Sequence, residues 1–335
     1  MTTYRAIQVT SPGKLALVDR EVTAPKPDHV RIRVEACGIC RTDALTVEGL
    51  HPAVSYPRVP GHEAVGTIDA VGEGVRAWRV GQRVGVGFLG GACGACRSCR
   101  RGDHVTCANQ PAIGLTHDGG YAEIIEAQAH GLVAIPDEIS SRDAAPLLCA
   151  GVTTFTALRN SRARAGDLVA ILGLGGLGHL GVQFARAMGF RVAAIARGAG
   201  KAALARELGA HHYIDSTTED AAAALQALGG ARAIVATAAN SAALPPLVLG
   251  LAPRGELIIA GGSGVPMSLD AGPLLFGVRS ISGTLTGSPS DTDDTLAFSA
   301  LQRIRATLEI LPLERAADGY ARMMRNEARF RIVLE

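Results

Sequence analysis

VAILGLGGLGHLG, residues 169–181, is the stretch that decides the fold of the second half of the chain. An apolar run typical of a buried strand passes into a glycine-rich turn and then into the start of a helix. Glycine lets the backbone turn tightly and approach a pyrophosphate at the amino terminus of that helix. A merely tight turn is the alternative, because the glycine pattern alone is weak evidence. The predicted cofactor contacts of this turn are Gly173, Gly175, Gly176, Leu177 and Gly178.

The sequence after Thr153 supplies the context that such a turn requires. Apolar runs alternate with alanine-rich helical segments, for example RVAAIA at 191–196 and KAALARELG at 201–209. This order predicts βαβ units and a parallel sheet with helices on both faces. The sequence therefore predicts a doubly wound domain that binds a dinucleotide.

The residues before Cys149 follow a different pattern. Runs such as HVRIRVEACG at 29–38 and VGTIDAVG at 65–72 alternate or contain β-branched residues, and glycine and proline clusters separate them. They predict a barrel-like unit of strands and loops. The carboxyl-terminal part is predicted to form helices over 291–309 and 313–325 and a strand at 330–334 that could return to the first domain.

Length and charge exclude several classes of function. The chain has 335 residues, which indicates two domains rather than one. A net charge of +2 without a basic run gives no electrostatic basis for binding nucleic acid. No apolar stretch reaches the roughly 18 to 20 residues of a membrane-spanning helix, and the amino terminus lacks a signal-peptide pattern. We therefore expect a cytoplasmic protein whose seven cysteines, an odd number, stay reduced.

Four of the cysteines lie together in GGACGACRSCRRGDHVTC, residues 90–107. The spacing C-x2-C-x2-C-x7-C suits one tetrahedral zinc held by a short loop, with no position left for substrate, and this predicts a structural site. A redox cluster is the alternative. His104 is a competing ligand within the loop, but four thiols favour it as a surface side chain. The predicted ligands are Cys93, Cys96, Cys99 and Cys107.

A second metal site is indicated by Cys40, His62 and Cys149, which are far apart in the sequence. Ligands from separate loops that converge on one ion and leave a fourth position open are typical of catalytic zinc. Spacing alone does not prove the site. Cys149 could instead be an ordinary buried small residue, because free cysteine is among the most buried residue types.

Five motifs together resemble the zinc-dependent alcohol dehydrogenases of the medium-chain dehydrogenase/reductase superfamily, in the order and spacing of that family. The resemblance spans essentially the whole chain. It implies a GroES-like β-barrel catalytic domain at 1–150 with a structural-zinc lobe at about 91–109. It also implies a Rossmann domain at 151–284, a returning segment at 285–335, and an active site in the cleft between the domains. The motifs are GICRTD at 38–43, GHE at 61–63, the cysteine lobe at 93–107, LLCAG at 147–151 and GLGGLG at 173–178.

The resemblance also implies roles for the residues around the catalytic zinc. Cys40, His62 and Cys149 are its ligands, and Glu63 lies beside the metal and exchanges with a ligand during turnover. Asp43 orients the ring of His62, as metal-bound histidines generally require. The remaining two roles fall to Thr42, which carries the alcohol proton, and to Arg41, which lies on the cofactor pyrophosphate.

The chain departs from the family pattern in the proton path. Well-known members have a histidine five residues after the first zinc ligand, where this chain has Leu45. His51 lies near a bulky pocket position, so it could line the substrate site, replace the missing relay, or be a plain loop residue. Phe88 matches an aromatic pocket wall, and a core phenylalanine is the alternative.

A second departure concerns the choice between NAD and NADP. Ala196 occupies the end of the second Rossmann strand, where NAD-specific relatives have an acidic residue that binds the adenosine ribose. Arg197 and Lys201 follow, so a 2′-phosphate would meet positive charge. The sequence therefore favours NADP, with NAD still possible.

These observations predict an oxidoreductase that interconverts primary or secondary alcohols with aldehydes or ketones and uses two zinc ions, one catalytic and one structural. One alternative is a dehydrogenase of a polyol, an aromatic alcohol or a thiol adduct on the same scaffold. Others are a catalytically silent zinc-binding homologue and a zinc-knuckle protein that binds nucleic acid. Relatives pair their Rossmann sheets near the segment that corresponds to LLFGVRSISGT at 274–284, so a homodimer or homotetramer is expected.

Overall fold

The computed structural model describes residues 2–238, 240–262 and 264–335. The chain forms two compact units. Unit 1 comprises Met1–Val152 and Thr286–Glu335, and unit 2 comprises Thr153–Leu285.

Unit 1 is built mainly from antiparallel strands. Its first part contains two short helices, α1 (Ala44–Val47) and α2 (Ser141–Ala144), and the start of α3 (Ala150–Arg159). The buried side chains include Ile32, Ile68 and Tyr121, which belong to one hydrophobic core. The strands of this part are β1 (Thr3–Ser11), β2 (Lys14–Glu21), β3 (His29–Ile39), β4 (Ala64–Val71), β5 (Arg83–Val86), β6 (Ile124–Gln128) and β7 (Leu132–Ala134).

Unit 2 contains a six-stranded sheet in which every pairing is parallel. All five residues of the first strand are buried, which explains its continuous apolar sequence. The strands are β8 (Leu168–Leu172), β9 (Arg191–Ala196), β10 (His212–Asp215), β11 (Ala231–Ala236), β12 (Leu251–Ile259) and β13 (Ser280–Gly283). The helices are α4 (Gly178–Ala187), α5 (Ala202–Glu207), α6 (Ala221–Ala227), α7 (Leu244–Leu247) and α8 (Ala271–Gly277).

The strand order of this sheet is β10-β9-β8-β11-β12-β13. Numbered from the first strand of the unit, this is the order 3-2-1-4-5-6 of the doubly wound dinucleotide-binding fold. The order reverses between β8 and β11, and ligands of such sheets bind at the carboxyl ends of the strands near this point. The predicted doubly wound sheet is therefore confirmed.

The last 50 residues return to unit 1 and complete its main sheet. They form α9 (Pro289–Gln302), β14 (Leu308–Leu311), α10 (Ala316–Met324) and β15 (Arg331–Leu334). The seven-stranded sheet has the order β14-β15-β3-β4-β5-β7, and β6 pairs with β3 outside this path. β15 runs antiparallel to β3, with Ile332 opposite Ile39 and Leu334 opposite Cys37.

The single helix predicted over 291–309 is wrong in its last third. The helix ends at Gln302, and Arg303 adopts the left-handed conformation with φ 56°. Leu308–Leu311 then forms a strand that pairs in parallel with β15. The alternation of this short segment is compatible with either structure, and pairing with a distant strand decides in favour of β structure.

None of the helices in the described part of the chain combines the length and the apolar character that crossing a membrane requires.

Candidate functional site

The first element of the site is the turn that follows β3. β3 ends at Ile39, and a single 3₁₀ turn, Arg41–Asp43, comes directly after Cys40. The backbone N–H of Cys40 donates to Oδ2 of Asp43 at 2.9 Å. This bond closes the turn and fixes the direction of the Cys40 side chain.

Asp43 also orients His62. The distance from its Oδ1 to Nδ1 of the His62 ring is 2.8 Å, and both side chains are buried. Tyr121, which is fully buried, donates its hydroxyl to Oδ2 of Asp43 at 2.7 Å. A carboxylate at Nδ1 holds the proton on that nitrogen, so Nε2 is left as the ligand atom. Sequence reasoning missed Tyr121, because nothing in its local sequence points to Asp43.

Three potential ligand atoms of unit 1 converge beside this pair. Sγ of Cys40 lies 3.8 Å from Sγ of Cys149, and Nε2 of His62 lies 3.3 Å from Sγ of Cys149. A tetrahedral zinc requires about 3.8 Å between two sulfur ligands and about 3.6 Å between sulfur and nitrogen. The donor set and its spacing therefore fit zinc.

The thiols of Cys40 and Cys149 differ in their pKa. A hydrogen bond with Cys149 holds the pKa of the Cys40 thiol well below its usual range, and the same contact raises the pKa of Cys149. Because the thiolate is the form of cysteine that binds metal, this electrostatic environment suits a metal ligand.

Glu63 is the fourth member of the group, with a carboxylate oxygen within 4.8 Å of the other ligand atoms. Burial raises the pKa of Glu63 to about 7, against the lowering effect of a buried ion pair with Arg331. A Cβ at Gly38 would lie 1.9 Å from Oε2 of Glu63, so only glycine at 38 leaves room for this carboxylate. Sequence reasoning missed Arg331, for which the available signal was one charged residue inside the apolar strand at 330–334.

The other residues predicted around the catalytic metal differ in their surroundings. Thr42 is half-buried and Arg41 is exposed. His51 is exposed, and its Nδ1 accepts a hydrogen bond from the backbone N–H of Ala53 at 3.2 Å. The ring of Phe88 packs edge-on against the ring of His62, with centroids 5.4 Å apart and an interplanar angle of 80°.

The cysteine lobe brings its four thiols together as the spacing predicts, with all four sulfurs within 4.8 Å of one another. Sγ of Cys93 lies 4.0 Å from Sγ of Cys99. Backbone N–H groups of the lobe point at the sulfurs: Cys96 donates to Cys93 at 3.4 Å and Cys99 donates to Cys96 at 3.5 Å. Such bonds stabilise thiolates, so the lobe fits a closed zinc site. His104 is exposed, outside this group of thiols.

The glycine-rich turn of unit 2 has the geometry of a phosphate cradle. Gly173 has φ +96°, a conformation that L side chains rarely adopt. A Cβ at Gly178 would lie 1.7 Å from the carbonyl oxygen of Gly173, so the helix can follow the strand this closely only with glycine. A Cβ at Gly175 would meet no protein atom within 4 Å, which leaves open space at the amino end of α4 for a pyrophosphate.

The loop after β9 carries the residues predicted to choose between the cofactors. Ala196 is buried at the end of the strand, Arg197 is exposed, and Lys201 is half-buried at the end of a short 3₁₀ turn. Among the described residues, the Arg197 side chain has no hydrogen bond or ion pair. Its guanidinium is therefore free to meet a ligand.

Comparisons with known proteins match both parts of the chain to known families. Residues 26–137 match the alcohol dehydrogenase GroES-like domain family, and residues 176–300 match the zinc-binding dehydrogenase family. The alcohol dehydrogenase patD of Penicillium expansum is 40% identical over 334 residues, covering 99% of this chain and 98% of that protein. Two similar solved structures are acetophenone reductase from Geotrichum candidum in complex with NAD and CAD from Helicobacter pylori complexed with NADP(H). Each is 26% identical with a TM-score of 0.87 and covers 99% of this chain and 97% of its own chain.

The fold and the site define an oxidoreductase that uses zinc and a nicotinamide dinucleotide. The chain belongs to the zinc-dependent alcohol dehydrogenase family of the medium-chain dehydrogenase/reductase superfamily. Its reaction is hydride transfer between an alcohol and NAD(P), with the corresponding aldehyde or ketone as the other product. The predicted family, the combination of a GroES-like domain with a Rossmann domain, and the class of reaction are thereby confirmed.

Proposed function

We propose that Cys40, His62 and Cys149 hold the catalytic zinc of this alcohol dehydrogenase. The observation that carries this assignment is the spacing of their buried ligand atoms, 3.8 Å and 3.3 Å, which matches a tetrahedral ion. Three protein ligands leave one position for water or substrate. The four thiols of the lobe leave no such position, so we assign to them a structural zinc held by Cys93, Cys96, Cys99 and Cys107.

We further propose a domain organisation with a separate role for each part of the chain. Residues 1–150 form the catalytic domain, residues 151–284 bind the dinucleotide, and residues 285–335 return to the catalytic domain. The pairing of β15 with β3 supports the last of these assignments, because it makes the returning segment part of the sheet that carries Cys40 at its end.

The chemistry of the reaction divides between the bound groups and the chain. When bound, zinc acts as a Lewis acid that lowers the pKa of the alcohol hydroxyl, and the nicotinamide accepts the hydride. Asp43 keeps the proton of His62 on Nδ1, which leaves Nε2 for the metal. Thr42 would relay the alcohol proton, accepting it at its hydroxyl oxygen while its own hydroxyl proton passes on toward solvent. Arg41 holds the cofactor pyrophosphate, and Glu63 replaces a ligand while water and substrate exchange.

The proton path gives a paired prediction. Thr42→Val removes the hydroxyl that accepts the proton and is expected to lower kcat by about 10²-fold or more, the usual contribution of positioned proton transfer. His51→Gln is expected to change kcat less than about threefold, because His51 is exposed and its Nδ1 is engaged by Ala53. Initial rates of alcohol oxidation across pH check both variants. Equal and large losses, with an altered pH profile in His51→Gln, would show that His51 has replaced the missing relay.

The choice of cofactor gives a second prediction. NADP is expected to be preferred over NAD by about ten- to hundredfold in kcat/KM, because a charge-assisted hydrogen bond from Arg197 contributes roughly 1.5 to 3 kcal/mol. Ala196→Asp is expected to reverse the preference, since a carboxylate accepts hydrogen bonds from the ribose and repels a 2′-phosphate. Arg197→Ala is expected to weaken use of NADP and to leave NAD nearly unchanged. A wild-type enzyme that uses NAD as well as NADP, with Arg197→Ala indifferent to both, would refute the assignment.

The substrate class is proposed as primary and secondary alcohols with the matching aldehydes and ketones. The edge-on contact of Phe88 with His62 supports an aromatic wall beside the ligands. The same wall would suit an aromatic alcohol, which is the second candidate. Initial rates with a panel of aliphatic, aromatic and polyol substrates and both cofactors, together with zinc analysis, test these proposals. Two zinc ions per chain and alcohol-dependent cofactor reduction support the enzyme, and one zinc without turnover would indicate a silent homologue.

We propose a homodimer or homotetramer as the functional assembly. β13 is the edge strand of the unit 2 sheet, and the neighbouring helix α8 exposes Leu275 and Phe276, the latter by 88%. A sheet edge with adjoining apolar side chains normally needs covering. Light scattering coupled to size-exclusion chromatography measures the mass of the particle.

The reduced thiols that both zinc sites require support our further proposal that the protein is cytoplasmic.

A further inference from the structure

Two hydrogen bonds hold the loop that carries Arg197, one at the backbone N–H of Gly198 and one at its carbonyl oxygen. Gly198 has φ 83° and ψ 140°. Its N–H donates to Oδ1 of Asp215 at 2.8 Å, and its carbonyl accepts a hydrogen bond from the hydroxyl of Tyr213 at 2.5 Å. Both partners lie on β10, the strand next to β9. The backbone immediately after Arg197 is therefore fixed by its neighbouring strand.

Asp215 is held as firmly as the loop. Its Oδ1 also accepts hydrogen bonds from the backbone N–H of Thr217 at 3.0 Å and from the hydroxyl of Thr217 at 2.7 Å. The bonds from Thr217 and from Gly198 lower the pKa of the Asp215 carboxyl group. A carboxylate that accepts three hydrogen bonds carries its full negative charge at neutral pH.

The position of this charge is set by the register of the sheet. β10 pairs in parallel with β9, and Asp215 is the register partner of Ala196. Adjacent strands lie about 4.8 Å apart, and side chains of paired residues stand on the same face of a sheet. A carboxylate thus stands one strand away from the position at which NAD-specific relatives have their own acidic residue.

We propose that Asp215 is a specificity-determining residue of the cofactor site, whose negative charge opposes the binding of a 2′-phosphate beside Ala196 and so limits the preference that Arg197 creates. The proposal rests on the cofactor site assigned above. Three hydrogen bonds to Oδ1 hold the Asp215 carboxylate in place on β10. From there its charge acts on a ligand bound at the end of β9, the adjacent strand. Its effect on the ligand is therefore electrostatic, without a direct contact being required.

A charge effect of this kind has two properties that a structural role lacks. Charges separated by a strand spacing interact within the screening length, which is about 8 Å at physiological ionic strength and about 3 Å in 1 M salt. The effect of Asp215 is therefore expected to fall with added salt. The charge effect also changes the affinity only for the ligand that carries a 2′-phosphate, whereas disorder of the loop would weaken the binding of ligands with and without that phosphate.

The test measures dissociation constants by calorimetry for 2′,5′-ADP and 5′-AMP, which contain the adenosine end of the two cofactors without the nicotinamide. Asp215→Asn keeps an oxygen that accepts from Gly198 and removes only the charge. We expect this variant to bind 2′,5′-ADP about three- to tenfold more tightly at low salt, with 5′-AMP nearly unchanged. The gain is expected to shrink in 1 M salt.

Two matched variants separate charge from structure. Asp220→Asn removes the same charge five residues away, from a carboxylate that caps α6 through the N–H groups of Ala222 and Ala223. It is expected to leave the ratio of the two dissociation constants unchanged. Tyr213→Phe removes the other contact to Gly198 without changing the charge. It is therefore expected to change the dissociation constants of both ligands by the same factor, independently of salt.

The outcomes distinguish this inference from the cofactor site on which it rests. If Arg197→Ala weakens 2′,5′-ADP but Asp215→Asn leaves the ratio unchanged at low salt, the role of Asp215 is wrong and the site stands. If neither variant changes the ratio, the 2′-phosphate binds elsewhere, and both the site and the inference fail. An equal gain in Asp220→Asn would attribute the effect to net charge and would overturn the inference as well.

Discussion

Replacement of Cys40 by alanine is expected to lower kcat/KM for alcohol oxidation by about 10³-fold or more while the protein stays folded. A catalytic zinc contributes several kcal/mol of transition-state stabilisation, and each 1.4 kcal/mol corresponds to a factor of ten. Cys40 lies at the end of β3 in a turn that Asp43 closes through the backbone, so the turn keeps its hydrogen bond without the thiol. Zinc content is expected to fall from two ions to one per chain, in keeping with the two ligand clusters.

Cys37 provides the matched control for this variant. It is a buried thiol on β3, three residues before Cys40, and its sulfur lies outside the ligand group. Cys37→Ser is expected to keep both zinc ions and to change kcat/KM less than about threefold. Near-native turnover of Cys40→Ala with unchanged zinc content would show that the catalytic site has been assigned to the wrong residues.

Replacement of Cys96 by alanine is expected to affect stability instead. The lobe is held by four thiols and by N–H to sulfur bonds, one of which, from Cys99, ends on Cys96 itself. The binding free energy of a structural zinc is part of the folding free energy of its loop, so loss of one ligand is expected to lower the melting temperature by about 10 °C. Limited proteolysis is expected to cut within residues 91–109 under conditions where the wild-type lobe resists.

Ser98→Ala lies in the same lobe and serves as its control, because Ser98 provides no ligand atom to the cluster. It is expected to keep the wild-type melting temperature within about 2 °C. The two zinc sites are thus expected to fail in different ways, one by loss of turnover and one by loss of stability. If Cys96→Ala keeps the wild-type melting temperature and resists proteolysis while turnover disappears, the structural role of the lobe is refuted.

The parts of the site that follow from local sequence were predictable. The four cysteines of the lobe are brought together within one short loop, and the glycines at 173, 175 and 178 fix the turn between β8 and α4. In both cases the residue spacing alone constrains the geometry, because few residues intervene and each glycine meets a specific steric demand.

The parts that depend on strand pairing were not predictable. Arg331 reaches Glu63, and Tyr121 reaches Asp43, only because distant strands lie side by side in the sheet of unit 1. Asp215 likewise meets Gly198 through the register of β10 with β9. No local pattern specifies register between strands that are far apart in the chain. The wrong helix over the end of 291–309 has the same origin, since pairing with β15 makes Leu308–Leu311 a strand.

The pairing of β15 with β3 has a consequence for biosynthesis. All of unit 2, residues 153–285, leaves the ribosome between the two segments of unit 1. The sheet of unit 2 is complete once residue 283 has emerged, but Glu63 remains without Arg331 until nearly 270 further residues have been translated. Unit 2 can therefore fold during translation, whereas the main sheet of unit 1 stays incomplete until its last strand, β15, has been translated. Nascent chains stalled before residue 331 are in consequence the form most vulnerable to thiol oxidation and to capture of the wrong metal.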